Sequence, residues 1–137
     1  MKIGFIGLGN VGGKLANSLL RNKFNLTVRD LDKNLTNSFK NKGAKVSNTA
    51  KELAEKTDLI ITCLPSPKIC AEVMESPNGV ISGLSENKIW LEMSTTDETE
   101  VKRLGKLVLS KKATPMDGPV SGGCHRAATG NIAIFVG

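Results

Sequence analysis

Tyrosine is absent from the chain, aromatic side chains make up only 4% of its 137 residues, and there is a single tryptophan and a single histidine. With so few rings, base stacking on a nucleic-acid surface has little to work with. Long apolar runs are missing too. Leu59-Ile60-Ile61, halted by Thr62, is among the longest, far below the ~20 residues that a membrane-spanning helix requires. Met1-Lys2 followed by Ile3-Gly4-Phe5-Ile6-Gly7 begins like a signal peptide, but glycines break the apolar stretch and no small-residue cleavage site follows. The expectation is a cytoplasmic protein without membrane or nucleic-acid partners. Cysteine is scarce and odd in number. Cys63, Cys70 and Cys124 match neither a zinc site nor a C-x-x-C redox pair, so reduced thiols and no metal are expected.

What is present suits one domain over residues 1–137. Hydrophobic residues are 39% and charged residues 23%, and a chain of this length can bury about two-thirds of its unfolded surface without disulfide or metal. Disorder and collagen-like repetition are excluded. The net charge of +6 is lodged in one half: 11 basic residues face 4 acidic ones before Thr57, and 8 face 9 from there on. The lysines of the basic half are scattered through helix-like stretches, which reads as a solvated basic face.

Periodicity gives a continuous α/β alternation. Lys2 to Ile6 reads as a strand, and Val11, Leu15 and Leu19 recur every fourth residue as the stripe of a helix starting near Asn10. Asn25–Arg29 and Lys45–Ser47 read as strands around a helix marked by Leu35 and Phe39, and residues 49–55 as a short helix. Asp58 to Leu64 is apolar on both faces except at Thr62, as in the middle of a covered parallel sheet. Pro65 ends it. Ser76-Pro77-Asn78-Gly79 and Ser82-Gly83 read as turns, Lys88 to Met93 as a strand, and Thr95-x-x-Glu98 as a capping box for a helix striped by Val101, Leu104, Leu107 and Val108. Ala113–Met116 and Ile132–Val136 are further strand candidates flanking a Gly-rich stretch, Asp117 to Gly130. This rhythm predicts a doubly wound, mostly parallel sheet of the Rossmann type.

Gly7-Leu8-Gly9-Asn10-Val11-Gly12 is a G-x-G-x-x-G set between the first strand and the first helix. There the first glycine permits a tight turn, the second lets a pyrophosphate approach the backbone, and the third lets helix and strand pack closely. The phosphates then meet unpaired N–H groups at a helix N-terminus. A flexible turn without ligand is the plain alternative, but Asp30, 18 positions after Gly12, stands where an acidic residue receives the adenosine ribose hydroxyls and repels a 2′-phosphate. Asp30 could instead cap the next helix, a duty Asp32 is equally placed to perform. Arg29 and Lys33 stand close enough in sequence to reach a 2′-phosphate, so NADP remains the second choice behind NAD.

The opening Gly4 to Gly12, together with Glu92-Met93-Ser94-Thr95, Asp117-Gly118-Pro119-Val120-Ser121-Gly122-Gly123 and Gly130 to Gly137, resembles the N-terminal NAD-binding domain of the β-hydroxyacid dehydrogenases, the 3-hydroxyisobutyrate dehydrogenase-like family that includes 6-phosphogluconate dehydrogenase. The resemblance runs from end to end. It implies that Leu64-Pro65-Ser66 and Thr95 contact the dinucleotide, and that Ser94, Ser121, Gly122 and Gly123 hold the carboxylate and hydroxyl of a small hydroxyacid. Successive glycines can expose backbone N–H groups as an anion nest, although a plain tight turn explains Ser121-Gly122-Gly123 locally as well. His125 sits nearby as a tempting general acid, but the family assigns it no role, and an exposed loop histidine is the simpler reading. The resemblance further implies a helical second domain beyond Gly137, carrying the acid/base lysine and the surface for a homo-oligomer, so no catalytic residue is expected within residues 1–137. A non-catalytic dinucleotide module used for sensing or assembly is the competing expectation.

Overall fold

A computed structural model describes residues 1–94 and 97–137. Among them, strands and helices alternate from the start: β1 (Lys2–Ile6), α1 (Asn10–Arg21), β2 (Asn25–Arg29), α2 (Lys33–Asn41), β3 (Lys45–Val46), α3 (Ala50–Lys56) and β4 (Leu59–Thr62). The chain continues through α4 (Pro67–Glu75), α5 (Val80–Gly83), β5 (Ile89–Glu92), α6 (Glu98–Ser110), β6 (Thr114–Asp117), β7 (Val120–Ser121), α7 (Gly123–Thr129) and β8 (Ala133–Ile134). Six strands form one parallel sheet in the order β3-β2-β1-β4-β5-β6. This is the doubly wound order that the alternation predicts, with its switch point between β1 and β4.

Side chains alternate across each strand and so feed two cores. On one face Ile6, Ile60 and Trp90 meet Leu53, Met74, Leu104 and Val108 from α3, α4 and α6. On the other, Ile3, Phe5, Val28, Ile61 and Met93 meet Leu15, Ala16, Phe39 and Ala127 from α1, α2 and α7. Cap chemistry starts the helices where the sequence asks. The Asp32 side chain accepts from the Asn34 N–H, and Thr49 Oγ1 accepts from the Glu52 N–H. The sheet's edges are short on pairing groups: β3 has two residues, and β6 carries Pro115.

Four local expectations are corrected. Residues 80–83 are a helical turn rather than the Ser82-Gly83 turn expected, because Val80 and Gly83 are buried beneath α3, with the Gly83 backbone lying directly against the Lys51 carbonyl. Helix α6 starts at Glu98 with an extended Asp97 at its N-cap, so Glu98 is its first residue and not the third that a capping box requires; Thr95 lies outside the described residues. The Gly-rich stretch is not all loop, since residues 123–129 form α7 and place His125 on a helix, exposed as expected. Finally, the strand expected over Ile132–Val136 shrinks to β8, which pairs antiparallel with β7 in a ribbon of its own. The physical cause is Pro119 and the two positive-φ glycines, 122 and 123, which turn the chain away from the parallel sheet after Asp117.

Candidate cofactor site

The carboxyl ends of β1, β2, β4 and β5 open onto one cleft of about 1110 Å³. The segments just past those ends supply its walls, as in open α/β sheets generally. Gly7, Gly9, Asn10, Val11 and Gly12 line it from the β1–α1 turn, Asp30 from the end of β2, Leu64 and Pro65 from the end of β4, and Ser94 from the end of β5.

The three glycines of the turn have different reasons to be glycine. Gly7 has φ +98°, and a side chain there would drive into the Cys63 carbonyl. A Cβ on Gly12 would in turn strike the Gly7 carbonyl, so these two glycines let β1, β4 and α1 close upon each other. Nothing lies within 4 Å of a Cβ built on Gly9. The fold makes no demand at that position, and Gly9 itself lines the cleft. Gly9 also stands at the N-cap of α1 with no side chain capping the helix, which leaves the first-turn N–H groups available to an anion. The residues present therefore fit a dinucleotide pyrophosphate.

Asp30 ties the turn to β2. Its Oδ2 accepts the Leu8 N–H at 2.7 Å and its Oδ1 accepts the Asp32 N–H at 2.8 Å. Leu8 is thus buried scaffold and does not line the cleft. Asp32 performs the capping of α2, so Asp30 keeps its remaining lone pairs toward the cleft. Arg29 also lines the cleft beside it.

Across the switch point the polar groups are held from below. The Leu64 N–H donates to Ser94 Oγ at 2.7 Å, and the Ser94 N–H donates to Glu92 Oε1 at 2.6 Å. Glu92 is fully buried, and its Oε2 accepts from Thr62 Oγ1 at 2.9 Å and from the Cys70 thiol at 2.7 Å. Trp90 Nε1 completes the chain by donating to Thr62 Oγ1. Burial, followed by the nearby Glu92, pushes the Cys63 thiol up to about 11 and the Cys70 thiol well above the usual thiol range. Neither is a ready nucleophile at neutral pH.

The remaining expected residues divide. Ser66 does not line the cleft: its Oγ accepts the Ile69 N–H and caps α4. Ser121, Gly122 and Gly123 lie on the β7–α7 turn and also stay off the cleft wall, although Val120 reaches it. Helix α7 is anchored on α1, where the Arg21 guanidinium donates to the Ala128 carbonyl at 2.7 Å. The cleft has a further apolar wall that periodicity did not reveal, built from Leu35 of α2 and from Ile69 and Val73 of α4. The Ser66-Pro67 pair, an N-cap followed by proline at the first helical position, is the signal that marks α4. No cluster of metal-binding side chains occurs among the described residues.

The family of NAD-binding domains of 6-phosphogluconate dehydrogenase is matched over residues 2–137. Mitochondrial 3-hydroxyisobutyrate dehydrogenase of Mus musculus is 38% identical over 135 residues, covering 98% of this chain and 40% of the relative. Among solved structures, 3-hydroxyisobutyrate dehydrogenase of Mycobacterium tuberculosis with L-serine superposes with a TM-score of 0.91 at 26% identity, over 99% of this chain and 46% of that one. Psf3 in complex with NADP+ and 2-OPP superposes with a TM-score of 0.93 at 22% identity, over 98% of this chain and 48% of that one, and attests the fold. The chain thus spans about two-fifths of the length of the curated relatives it matches.

Proposed function

Because the chain belongs to the family of NAD-binding domains of 6-phosphogluconate dehydrogenase, we propose that residues 1–137 are the cofactor-holding unit of an NAD-dependent oxidoreductase. Its substrate is a small 3-hydroxyacid of the 3-hydroxyisobutyrate kind, or the matching semialdehyde in reverse. The observation that carries this reading is the open space at Gly9, at the uncapped start of α1 and facing the cleft.

When bound, the dinucleotide accepts or supplies the hydride. The chain's own part is placement. The backbone of residues 9–12 receives the pyrophosphate, Asp30 receives the ribose hydroxyls, and Leu64-Pro65 border the nicotinamide half. NAD is preferred over NADP because a 2′-phosphate would face the Asp30 side chain, and Arg29 only partly offsets that repulsion. Ser94, its Oγ already accepting from Leu64, can donate its own hydroxyl proton to a substrate oxygen. The turn at Ser121, Gly122 and Gly123 is assigned to the substrate carboxylate by the family resemblance, supported by the positive φ of both glycines. Proton transfer at the hydroxyl oxygen falls to the lysine that the resemblance puts beyond Gly137. Reduced Cys63, Cys70 and Cys124 suit a reducing compartment, the cytoplasm in this reading.

Titration with NADH tests the site. Gly9→Val is expected to keep the unfolding midpoint while weakening NADH at least about a hundredfold, since a branched side chain would fill the space left for the pyrophosphate. Unchanged affinity would refute the assignment of the turn. Residues 1–137 alone should give no NADH from 3-hydroxyisobutyrate above a no-enzyme control, because acid/base help worth about 10²–10⁴ in rate is not among them.

A further inference from the structure

The carboxyl end of the sheet accounts for the cleft, but the basic half of the sequence has most of its charge elsewhere. A second cavity of about 190 Å³ is lined by Lys2, Asn25, Thr27, Lys45, Ser47 and Lys56, together with Val46. Strand register places these groups together. Lys2 pairs with Asn25, Gly4 with Thr27, and Thr27 with Lys45, so alternation puts Lys2, Asn25, Thr27 and Lys45 on one face. Ser47 extends that set by one more step, its N–H donating to the Val28 carbonyl as the ladder continues past β3. It is the face covered by α3, since the missing side chain of Gly4 points at Leu53 and Thr57. Helix α3 contributes Lys56 from its last turn.

Ser47 supplies the independent observation. It is only 2% exposed, and its Oγ is the one buried side-chain polar atom among the described residues with no hydrogen-bond partner. Leaving a hydroxyl buried and unpaired costs about 1–3 kcal/mol, which an occupant of the cavity would recover. The donors around it select the occupant. Lys2, Lys45 and Lys56 bring ammonium groups to its lining and Thr27 and Ser47 bring hydroxyls, while two carboxylates stand beside them: Glu52, paired with Lys56 at 2.6 Å, and Asp58, which accepts the Lys2 backbone N–H at 2.8 Å. Ammonium and hydroxyl donors in a cavity of this size match a tetrahedral oxyanion.

We propose that this pocket, on the α3-covered face where β1, β2 and β3 lie side by side, binds a phosphate-type oxyanion, either free phosphate or the phosphoryl end of a small ester, independently of the dinucleotide cleft. The full chain, isotopically labelled and carrying Gly9→Val so that the glycine turn does not compete, is titrated with inorganic phosphate and with glycerol 3-phosphate. Sodium chloride at matched ionic strength is the control. Saturable amide shifts at Thr27, Lys45, Val46 and Ser47 are expected with phosphate and not with chloride, and the ligand that saturates first identifies the source. Ser47→Ala and Lys45→Gln should each weaken binding about tenfold, the effect of one charge-assisted hydrogen bond. Ser47→Ala is expected to leave the unfolding midpoint in chloride no lower, so that a loss of binding is not a loss of folding. Equal shifts in chloride, shifts confined to other residues, or phosphate affinity untouched by both substitutions would overturn the proposal.

Discussion

Asp30 and Glu92 perform related tasks on opposite sides of the switch point, each accepting backbone N–H from the segment just past a strand, yet their surroundings differ. Asp30 is half-buried on the cleft wall and takes two backbone donors, while Glu92 is fully buried and takes one backbone N–H, one hydroxyl and one thiol. A carboxyl group has about four acceptor positions. At Asp30 the positions left over face the cleft, and at Glu92 they face protein. Exposure, rather than chemistry, therefore separates a carboxyl that can select a ligand from one that fixes the frame around it.

Removing each group in turn puts the two roles apart. Glu92→Ala should cost about 3–5 kcal/mol in urea unfolding, because it leaves the Ser94 N–H, Thr62 and Cys70 without their acceptor and opens a cavity under Trp90. A loss under about 1 kcal/mol would show that water or Thr62 replaces it at little cost. Asp30→Ala should cost about 1–2 kcal/mol through the Leu8 N–H, and Asp30→Asn less, since its amide oxygen still accepts. Its larger signature is in binding: the NAD to NADP affinity ratio should fall about tenfold in Asp30→Ala, and an unaltered ratio would reduce Asp30 to a brace for the turn.

The smallest effect reports on the half-buried thiol at the end of β4. The folded Cys63 thiol keeps its proton up to about 11, against an ordinary value of 9.0. Between those values the unfolded chain loses its proton first, so stability is full below pH 9 and declines as pH rises toward 11. Urea midpoints across that window should fall in the parent chain and fall less in Cys63→Ala.

How far the sequence reveals these features depends on whether a residue acts through its neighbours in the chain. The glycine turn, the Asp32 cap and the alternation of strands and helices are local, and each is legible in the order of the amino acids alone. The parallel order of the strands follows from crossover rules. Helix α4 is hidden because its apolar residues divide between two surroundings: Cys70 and Met74 are buried in the core, Val73 packs against that core and also borders the cleft, and Ile69 lines the cleft. Ser66, a cofactor contact by resemblance, also caps that helix, a duty that the Ser66-Pro67 pair signals locally. The linkage of Glu92 to Cys70 and Thr62 joins residues 22 and 30 positions apart, and no periodicity announces it. The lysine pocket is hidden for the same reason, as its members come from three strands, the residue that follows one of them and the end of a helix.

The borders of the sheet bear on how the protein behaves when concentrated. An exposed strand edge is a template on which a second molecule can add its own strand, the first step toward aggregation. Here β3 offers only Lys45 and Val46, one of them charged, and β6 has Pro115 where an incoming strand would look for an N–H. The far end of β6 is already engaged, with the Gly137 N–H donating to the Asp117 carbonyl at 2.8 Å. Replacing Pro115 with valine would restore a donor and a strand-forming side chain at that border, and turbidity at high protein concentration, not unfolding, is the change it should bring.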